Sequence, residues 1–269
     1  MRLEGRTAVI TGAAGGIGRA IAVSLASRRC HLALADIDEA GMAETSNLAR
    51  AHGVRVSRHR VDVADRFAIA ELPDTVAAEH GGVDILVNNA GVALGGTFEQ
   101  ISAEDFEWLF EINFWGVVRM TRAFLPLLRA SDDARVVNLS SVYGVIAPPE
   151  QVAYSASKFA VRGFSEALRH ELEGSSVAVT VVHPAGVNTS IAEKARVPAG
   201  VTEEQIAKRR ARYRKLLTMS PEIAGETIVR GIERRRSRVL VGSDAKVISV
   251  VARLLPVSYW KLLAARIEG

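Results

Sequence analysis

The feature that most constrains this chain is an alternation of short, nearly all-apolar runs with longer stretches of helical spacing. The runs are Thr7 to Ile10, His31 to Ala35, Val54 to Val56, Ile85 to Val87, Val136 to Leu139 and Val177 to Val182. A strand that is apolar at every position needs cover on both faces, and the intervening helical segments supply it. The pattern predicts βαβ units with right-handed crossovers, that is, a doubly wound α/β sandwich of three layers around a parallel sheet of about seven strands. Ligands of such sheets bind at the carboxyl ends of the strands, where the strand order reverses. Thr11 and Gly12, Asp36, Asp62, Asn88 and Asn89, Ser140 and Ser141, and His183 and Pro184 all follow apolar runs, which predicts polar groups gathered on one edge. Ordinary strand-ending turns account for one or two of these six places but not for all of them.

The 269 residues show no linker rich in Pro, Gly and Ser and no internal repeat, so a single domain over 1–269 is expected. Ile191 to Ser220 breaks the alternation and carries many charges, as a substrate lid at about 190–220 would. Two long amphipathic stretches, Ala103 to Arg129 and Gln151 to Glu173, have apolar residues enough to face both the sheet and a second subunit, so a homodimer or homotetramer is expected. One cysteine, Cys30, excludes an internal disulfide, and Met1 to Thr11 lacks the apolar core of a secretory signal, so a cytoplasmic setting is expected. The net charge of +4 is modest, and the basic runs Lys208 to Lys215 and Arg230 to Arg238 contain only Tyr213 as a stacking aromatic. They read as solvated helix faces, with no nucleic-acid partner. The tail at about 244–269 is amphipathic, and Lys246, Arg253, Pro256 and Lys261 interrupt it too often for a membrane span. It could cover the substrate cleft, join a subunit interface or lie on a membrane surface, and packing within the assembly is favoured over membrane contact.

After the first apolar run comes Thr11-Gly12-Ala13-Ala14-Gly15-Gly16-Ile17-Gly18, leading into a helix. Glycines let the backbone turn tightly and let a pyrophosphate approach, and the free amides at the helix start receive its charge. This is the phosphate-binding corner of a Rossmann-type fold. Asp36 closes the second strand, where a carboxylate accepts hydrogen bonds from the adenosine ribose hydroxyls and repels a 2′-phosphate, which favours NAD over NADP. The alternative for Asp36 is the N-cap of a helix beginning near Glu39.

Tyr154 and Lys158 stand four residues apart and so share one helix face. A phenol titrates near ~10, and a neighbouring ammonium stabilises its anion, which makes it usable for moving the proton of an alcohol. A hydroxyl at Ser140 or Ser141 is placed to stabilise charge on the substrate oxygen. Asn113 sits mid-helix, where an asparagine costs helix propensity for no local gain.

These elements together resemble the short-chain dehydrogenase/reductase family over about Gly5 to Val241: the TGxxxGxG turn, Asp36, Asn113, Ser141, Tyr154 and Lys158 fall in family order. The resemblance implies a catalytic set of Asn113, Ser141, Tyr154 and Lys158, with Ser141 preferred over Ser140 because it lies thirteen residues before the tyrosine. In the family the asparagine kinks its helix and holds a water beside the lysine, and the lysine also binds the nicotinamide ribose. The implied cofactor contacts are Gly12, Ala14, Gly16, Ile17, Gly18, Asp36, Asp62, Val63, Asn89, Ala90, Gly91, Tyr154, Lys158, Pro184, Val187 and Thr189. Asp62 and the backbone of Val63 hold the adenine in the family, and Val187 and Thr189 meet the carboxamide. Asn89 and Gly91 also suit a purely architectural turn. One departure stands out: Ala185 replaces a glycine after Pro184, so either this loop avoids positive φ or the approach of the cofactor changes. His183 reads as packed or hydrogen-bonded beside the crevice rather than catalytic.

The substrate pocket is expected at Val92, Leu94, Tyr143, Val145, Gln151 and Ile191, with Val187 beside them. This mostly apolar set suits a hydrophobic secondary alcohol or ketone. No metal is expected. The expected activity is hydride transfer between NAD(H) and such a substrate with Tyr154 as acid/base. The rivals are an NADPH-dependent 3-oxoacyl-carrier-protein reductase, whose acidic carrier the basic lid would attract, and a regulatory protein that senses NAD without turnover.

Overall fold

The structure, a computed structural model, describes the backbone of residues 1–268 and all of their side chains except those of Tyr213 and residues 265–268. Seven parallel strands, β1 (Thr7–Thr11), β2 (His31–Asp36), β3 (Val56–Arg60), β4 (Ile85–Asn88), β5 (Ala134–Leu139), β6 (Val177–Pro184) and β7 (Arg238–Val241), pair in the order β3-β2-β1-β4-β5-β6-β7. Ala8 of β1 stands opposite Leu32 of β2 on one side and Ile85 of β4 on the other, and the reversal of order there opens the crevice at the strand ends.

Alternate strand residues enter two separate cores. Ile10, Leu32, Val137 and Val182 pack beneath α1 (Gly16–Ala26), α2 (Glu39–Arg50) and α8 (Pro221–Glu233). Val9, Ala33, Leu86 and Val136 pack against α3 (Arg66–His80) and α5 (Gly116–Ala130), chiefly Leu72, Phe124 and Leu128, and Leu168 of α6 (Val152–Glu171) packs against the same core. Each fully buried Leu or Phe contributes roughly 1.5–3 kcal/mol of transfer free energy, so two covered faces hold the sheet firmly where the site is built.

Three local details differ from the sequence expectation. The third strand runs over Val56–Arg60 and not Val54 to Val56, because it lies at the sheet edge with Arg58 and Arg60 exposed. A half-covered strand alternates in polarity, and a search for continuous apolar runs finds only its start. The stretch Ala103 to Arg129 is also not one regular helix: α4 (Ala103–Phe110) passes through a π-helical turn, Glu111–Trp115, into α5. Finally, the cap of α2 is Asp38, whose Oδ1 accepts from the Gly41 amide at 3.0 Å, and this removes the capping alternative for Asp36.

Segment 190–220 carries α7 (Glu203–Leu216) and is tied to the body. Arg196 pairs with Asp105 at 2.6 Å and lies 3.7 Å over the Trp108 ring, and Arg209 pairs with Glu150 at 3.3 Å. The tail forms α9 (Ser243–Leu254) and α10 (Tyr259–Glu268), which pack back on Val142, Tyr143, Ile146 and Ala185.

Candidate active site

The glycine turn is fixed by what surrounds it. Gly12 has φ +64°, and a Cβ there would meet the Asn89 amide at 2.8 Å and Ala90 Cα at 2.9 Å. At Gly18 a Cβ would sit on the Gly12 carbonyl oxygen. Asn89 donates from Nδ2 to the carbonyls of Thr11 (2.9 Å) and Gly12 (3.0 Å), and Thr11 Oγ1 receives the amides of Asn89 and Ala90, both at 3.0 Å. Asn89 thus braces the turn from behind. Gly15, the residue preceding α1, offers no side-chain cap, and a Cβ on it would meet nothing within 4 Å. Uncapped first-turn amides facing open space form a cradle that fits a dinucleotide pyrophosphate.

Asp36 points at the same turn. Its Oδ2 accepts from the Ala14 amide at 2.9 Å and its Oδ1 from the Asp38 amide at 3.1 Å, which locks the carboxylate at the end of β2. Arg19, a nearby cation the sequence reading missed, is spent on the carbonyls of Ala14 (2.6 Å) and Gly41 (3.2 Å), on Thr45 Oγ1 (3.0 Å) and on Glu44 (2.8 Å). Asp62 is exposed and accepts from the Ala64 amide at 2.9 Å, while Val63 is buried against Gly116. Across the crevice, the Thr189 side chain comes to about 3.0 Å from where a Gly16 Cβ would lie, so the segment after β6 reaches the glycine turn. In that segment the positive φ falls on Gly186, at +61°, and not on Ala185. This answers the question raised by the alanine: the loop bends one residue later, where a Cβ would lie 2.6 Å from the Leu216 carbonyl oxygen. Val187 is buried in the core, and Pro184 is half-buried at the end of β6.

On the other side of the reversal, Tyr154 and Lys158 share the first turns of α6, with the lysine Nζ 5.7 Å from the tyrosine ring centroid. Lys158 is 5% exposed, donates to the Leu139 carbonyl at 3.1 Å and forms no ion pair among the described residues. Burial pushes its amine down to about 8. The neighbouring Ser140 hydroxyl donates to the Lys158 carbonyl at 2.8 Å, which commits Ser140 to holding the helix. Ser141 Oγ accepts from the Tyr143 amide at 3.1 Å, and the Tyr143 ring meets Tyr154 edge-on at 6.1 Å.

Asn113, fully buried in the π-helical turn, clamps the opposite wall. Its Oδ1 accepts from the Val92 amide at 2.8 Å, and its Nδ2 donates to the Val92 carbonyl at 3.0 Å and to Ser157 Oγ at 3.3 Å. A Cβ on Gly91 would lie 3.1 Å from Asn113 Oδ1 and 3.4 Å from Lys158 Nζ, so these three residues meet at one point. Val92, Tyr143, Val145 and Ile191 keep partial exposure, and Gln151, 8% exposed, bridges to Gly96. Leu94 differs from the others: it is fully buried in a cluster with Leu109 and Ala153, against which Tyr154 packs.

Asn88 turns away from the crevice, bonding Thr121 Oγ1 at 3.0 Å and Asn138 Oδ1 at 2.8 Å. Two further residues support this wall, His183, which the sequence reading expected to be packed or hydrogen-bonded, and Glu150, which it missed. His183 is fully buried and donates from Nδ1 to the Ser141 carbonyl at 2.9 Å, and burial holds it at about 4, hence neutral. Glu150 holds φ +62° just before α6, with its carbonyl receiving the Gly96 amide at 3.0 Å and its carboxylate facing Arg209. No local signal marks the role of Glu150 or names the partner of His183, since both contacts join segments distant in sequence.

Comparison with known proteins gives a consistent result. Residues 6–199 match the family model for short chain dehydrogenase. The Mycobacterium tuberculosis protein SadH is 46% identical over 264 residues, which cover 97% of this chain and 95% of the relative. A 3-oxoacyl-[acyl-carrier-protein] reductase, FabG of Thermotoga maritima, is 32% identical over 194 residues, covering 72% of this chain and 79% of that one. A crystal structure of a short chain dehydrogenase/reductase from Burkholderia phymatum in complex with NAD superposes with a TM-score of 0.87 at 33% identity, covering 94% of this chain and 95% of that chain. With the glycine cradle, the seven parallel strands and the Tyr154–Lys158 helix already in place, the chain belongs to the short-chain dehydrogenase/reductase family of oxidoreductases.

Proposed function

We propose that the protein moves a hydride between NAD(H) and an apolar secondary alcohol or ketone, with Tyr154 as the acid/base. The observation that carries this reading is a buried ammonium, with no carboxylate partner among the described residues, 5.7 Å from a phenol ring and close to Gly91, two residues after the Asn89 that braces the glycine turn. When bound, the nicotinamide supplies the hydride acceptor or donor. In the oxidative direction Tyr154 Oη takes the hydroxyl proton of the alcohol while Lys158 stabilises the phenolate; in reduction the phenol returns that proton to the ketone oxygen. The Ser141 hydroxyl donates to the substrate oxygen and favours the charge that develops there. Asn113 keeps Gly91 and Val92 against the lysine and so acts as a positioning residue.

Gly12, Ala14, Gly16, Ile17 and Gly18 would hold the pyrophosphate, Asp36 the adenosine ribose, and Asp62 and Val63 the adenine, while Asn89, Ala90 and Gly91 would line the cofactor between the glycine turn and Lys158. Lys158, Pro184, Val187 and Thr189 would hold the nicotinamide half. NAD is favoured because the locked Asp36 carboxylate faces the ribose position and Arg19 is already engaged by Glu44 and two carbonyls. The part-exposed Val92, Tyr143, Val145 and Ile191 suit an apolar substrate, with segment 190–220 as its lid, and exposed Trp115 of the π-helical turn before α5 and Phe159 of α6 give surface for a second subunit.

The test is absorbance at the reduced-nicotinamide band with NAD and NADP and a panel of alcohols graded by size. Wild type should turn over larger apolar alcohols with NAD, and Tyr154→Phe should lose ~10²–10⁴-fold in kcat while still binding NADH. Near-normal turnover in Tyr154→Phe defeats the assignment. A tenfold preference for NADPH would move the protein to the carrier-protein reductase reading, for which the exposed Lys208, Arg210, Arg214 and Lys215 of α7 already offer a basic face.

A further inference from the structure

Helix α9 is apolar on two sides. Ala245, Ile248, Val251 and Ala252 face inward and, with Tyr259 and Leu263 of α10, pack on Val142, Tyr143, Ile146 and Ala185. The Tyr259 hydroxyl also accepts the Ala147 amide at 3.0 Å, so this inner side is fastened to the domain. The outer side is not covered. Val247, Val250 and Leu254, at i, i+3 and i+7, are 47%, 57% and 72% exposed, Val257 in the bend is 93% exposed, and Leu262 of α10 is 60% exposed. A helix with apolar residues on both faces is built for contact on both, and the fold supplies only one.

The charges beside the stripe say what fits it. Lys246 and Arg253 are spaced i, i+7 along one edge of the outer face, Lys261 of α10 is exposed next to Leu262, and none of the three forms an ion pair among the described residues. Asp244, in the first turn of α9, is the only acid among the described side chains of the two helices. A twofold contact through this face would set bases against bases, because such a contact brings each patch onto its own copy. An anionic lipid surface answers both features at once: headgroups neutralise the lysines and arginine while Leu254, Val257 and Leu262 enter the acyl boundary. Among the described residues no helix is long and apolar enough to cross a membrane, so the contact is interfacial.

We infer that the outer face of α9 and α10 docks the protein on anionic phospholipid membranes. The sequence favoured packing over membrane contact for this tail; the two faces allow both, with the inner face on the domain and the outer on lipid. If the substrate reading above is right, docking brings the crevice wall at Tyr143 close to the lipid, where apolar alcohols partition, although the docking itself does not depend on that reading.

The test is flotation of the full-length protein with vesicles of phosphatidylcholine alone or of equal parts phosphatidylcholine and phosphatidylglycerol. Wild type should float with the anionic vesicles only, and raising the salt from about 0.05 M to about 0.5 M should reduce the bound fraction severalfold. Leu254→Glu/Val257→Glu should lower binding at least tenfold, as should Lys246→Glu/Arg253→Glu/Lys261→Glu, with unchanged circular dichroism and unchanged turnover of a water-soluble alcohol. Wild type that stays in the soluble fraction with anionic vesicles overturns the inference. So does equal flotation of wild type and both variants, or a halved sedimentation mass in Leu254→Glu/Val257→Glu, which would give the face to a second copy. Flotation needs no catalysis, so a failed activity screen and a failed docking test are told apart.

Discussion

At the glycine turn, position is set by backbone: Gly12 and Gly18 leave room for carbonyls and for Asn89, and Asp36 is held by two main-chain amides. At the Ser141–Tyr154 side of the same crevice, position is set by buried polar side chains reaching across the fold, with Ser140 on the Lys158 carbonyl, His183 on the Ser141 carbonyl and Asn113 on Val92. The first kind of construction tolerates almost no added atom. The second tolerates shape changes but carries a standing electrostatic cost, because groups that water would solvate are enclosed. Binding can rest on a rigid frame, whereas proton transfer needs a site whose charges are incompletely satisfied until reactants arrive.

Three substitutions sharpen or break this contrast. The largest effect is expected at Lys158→Met. The wild-type amine sits near 8 in the fold against its ordinary 10.5, so the folded state binds that proton less well than the unfolded chain. Wild-type stability should therefore climb as pH rises from about 8 to 10.5, by at most ~3 kcal/mol. The methionine variant should be inactive, more stable than wild type at pH 7, and flat across that window in denaturant titrations. A variant that tracks the wild-type curve would show that the buried ammonium costs nothing.

Gly18→Ala comes next. Its methyl would occupy the place of the Gly12 carbonyl, so a loss of ~3 kcal/mol, at the upper end for forced overpacking, should appear as a lower urea midpoint together with weaker NADH binding. A loss under ~1 kcal/mol would mean that the backbone frame is less rigid than its geometry implies.

The smallest effect is expected at His183. Leucine there should lower kcat about tenfold through a loosened Ser141 with little change in NADH affinity, and asparagine, which also presents an N–H donor, should recover most of it. Stability offers a second readout. The imidazole is held near 4, below its ordinary 6.5, so its contribution is present above pH 6.5 and is lost as pH falls towards 4. His183→Leu should lose less stability than wild type over that acid window, and an identical acid limb would remove His183 from this role.

The two halves also differed in how far the sequence revealed them. Glycine spacing, the strand-ending Asp36 and the i, i+4 pair of Tyr154 and Lys158 are local patterns: the structure forms the tight turn, sets Asp36 on the Ala14 amide and places the lysine Nζ 5.7 Å from the tyrosine ring. The edge position of β3 was invisible because pairing order is not a local property, and its exposed Arg58 and Arg60 hid the strand from a search for apolar runs. The π-helical turn at Asn113 was marked in the residues only by a propensity violation, with the family resemblance implying a kink there, and the contact that explains it lies twenty-one residues away at Val92. Asn88, Ser140 and His183 share the strand-end position of the crevice groups yet face inward, because side-chain direction is decided by partners on α5, α6 and the Ser141 loop. The same limit applies to Glu150, whose left-handed backbone is held by Gly96 and Arg209.

The loop after β6 carries a wider lesson about signatures. A rule written in letters, demanding glycine straight after Pro184, rejects this chain, yet the bend that glycine ordinarily serves is made one step later by Gly186 at φ +61°. A signature written in dihedral angles would accept it. Relatives with Pro-Ala-Gly in place of Pro-Gly need not be degenerate copies, and a library search that scores the torsion and ignores the letter would recover them as intact.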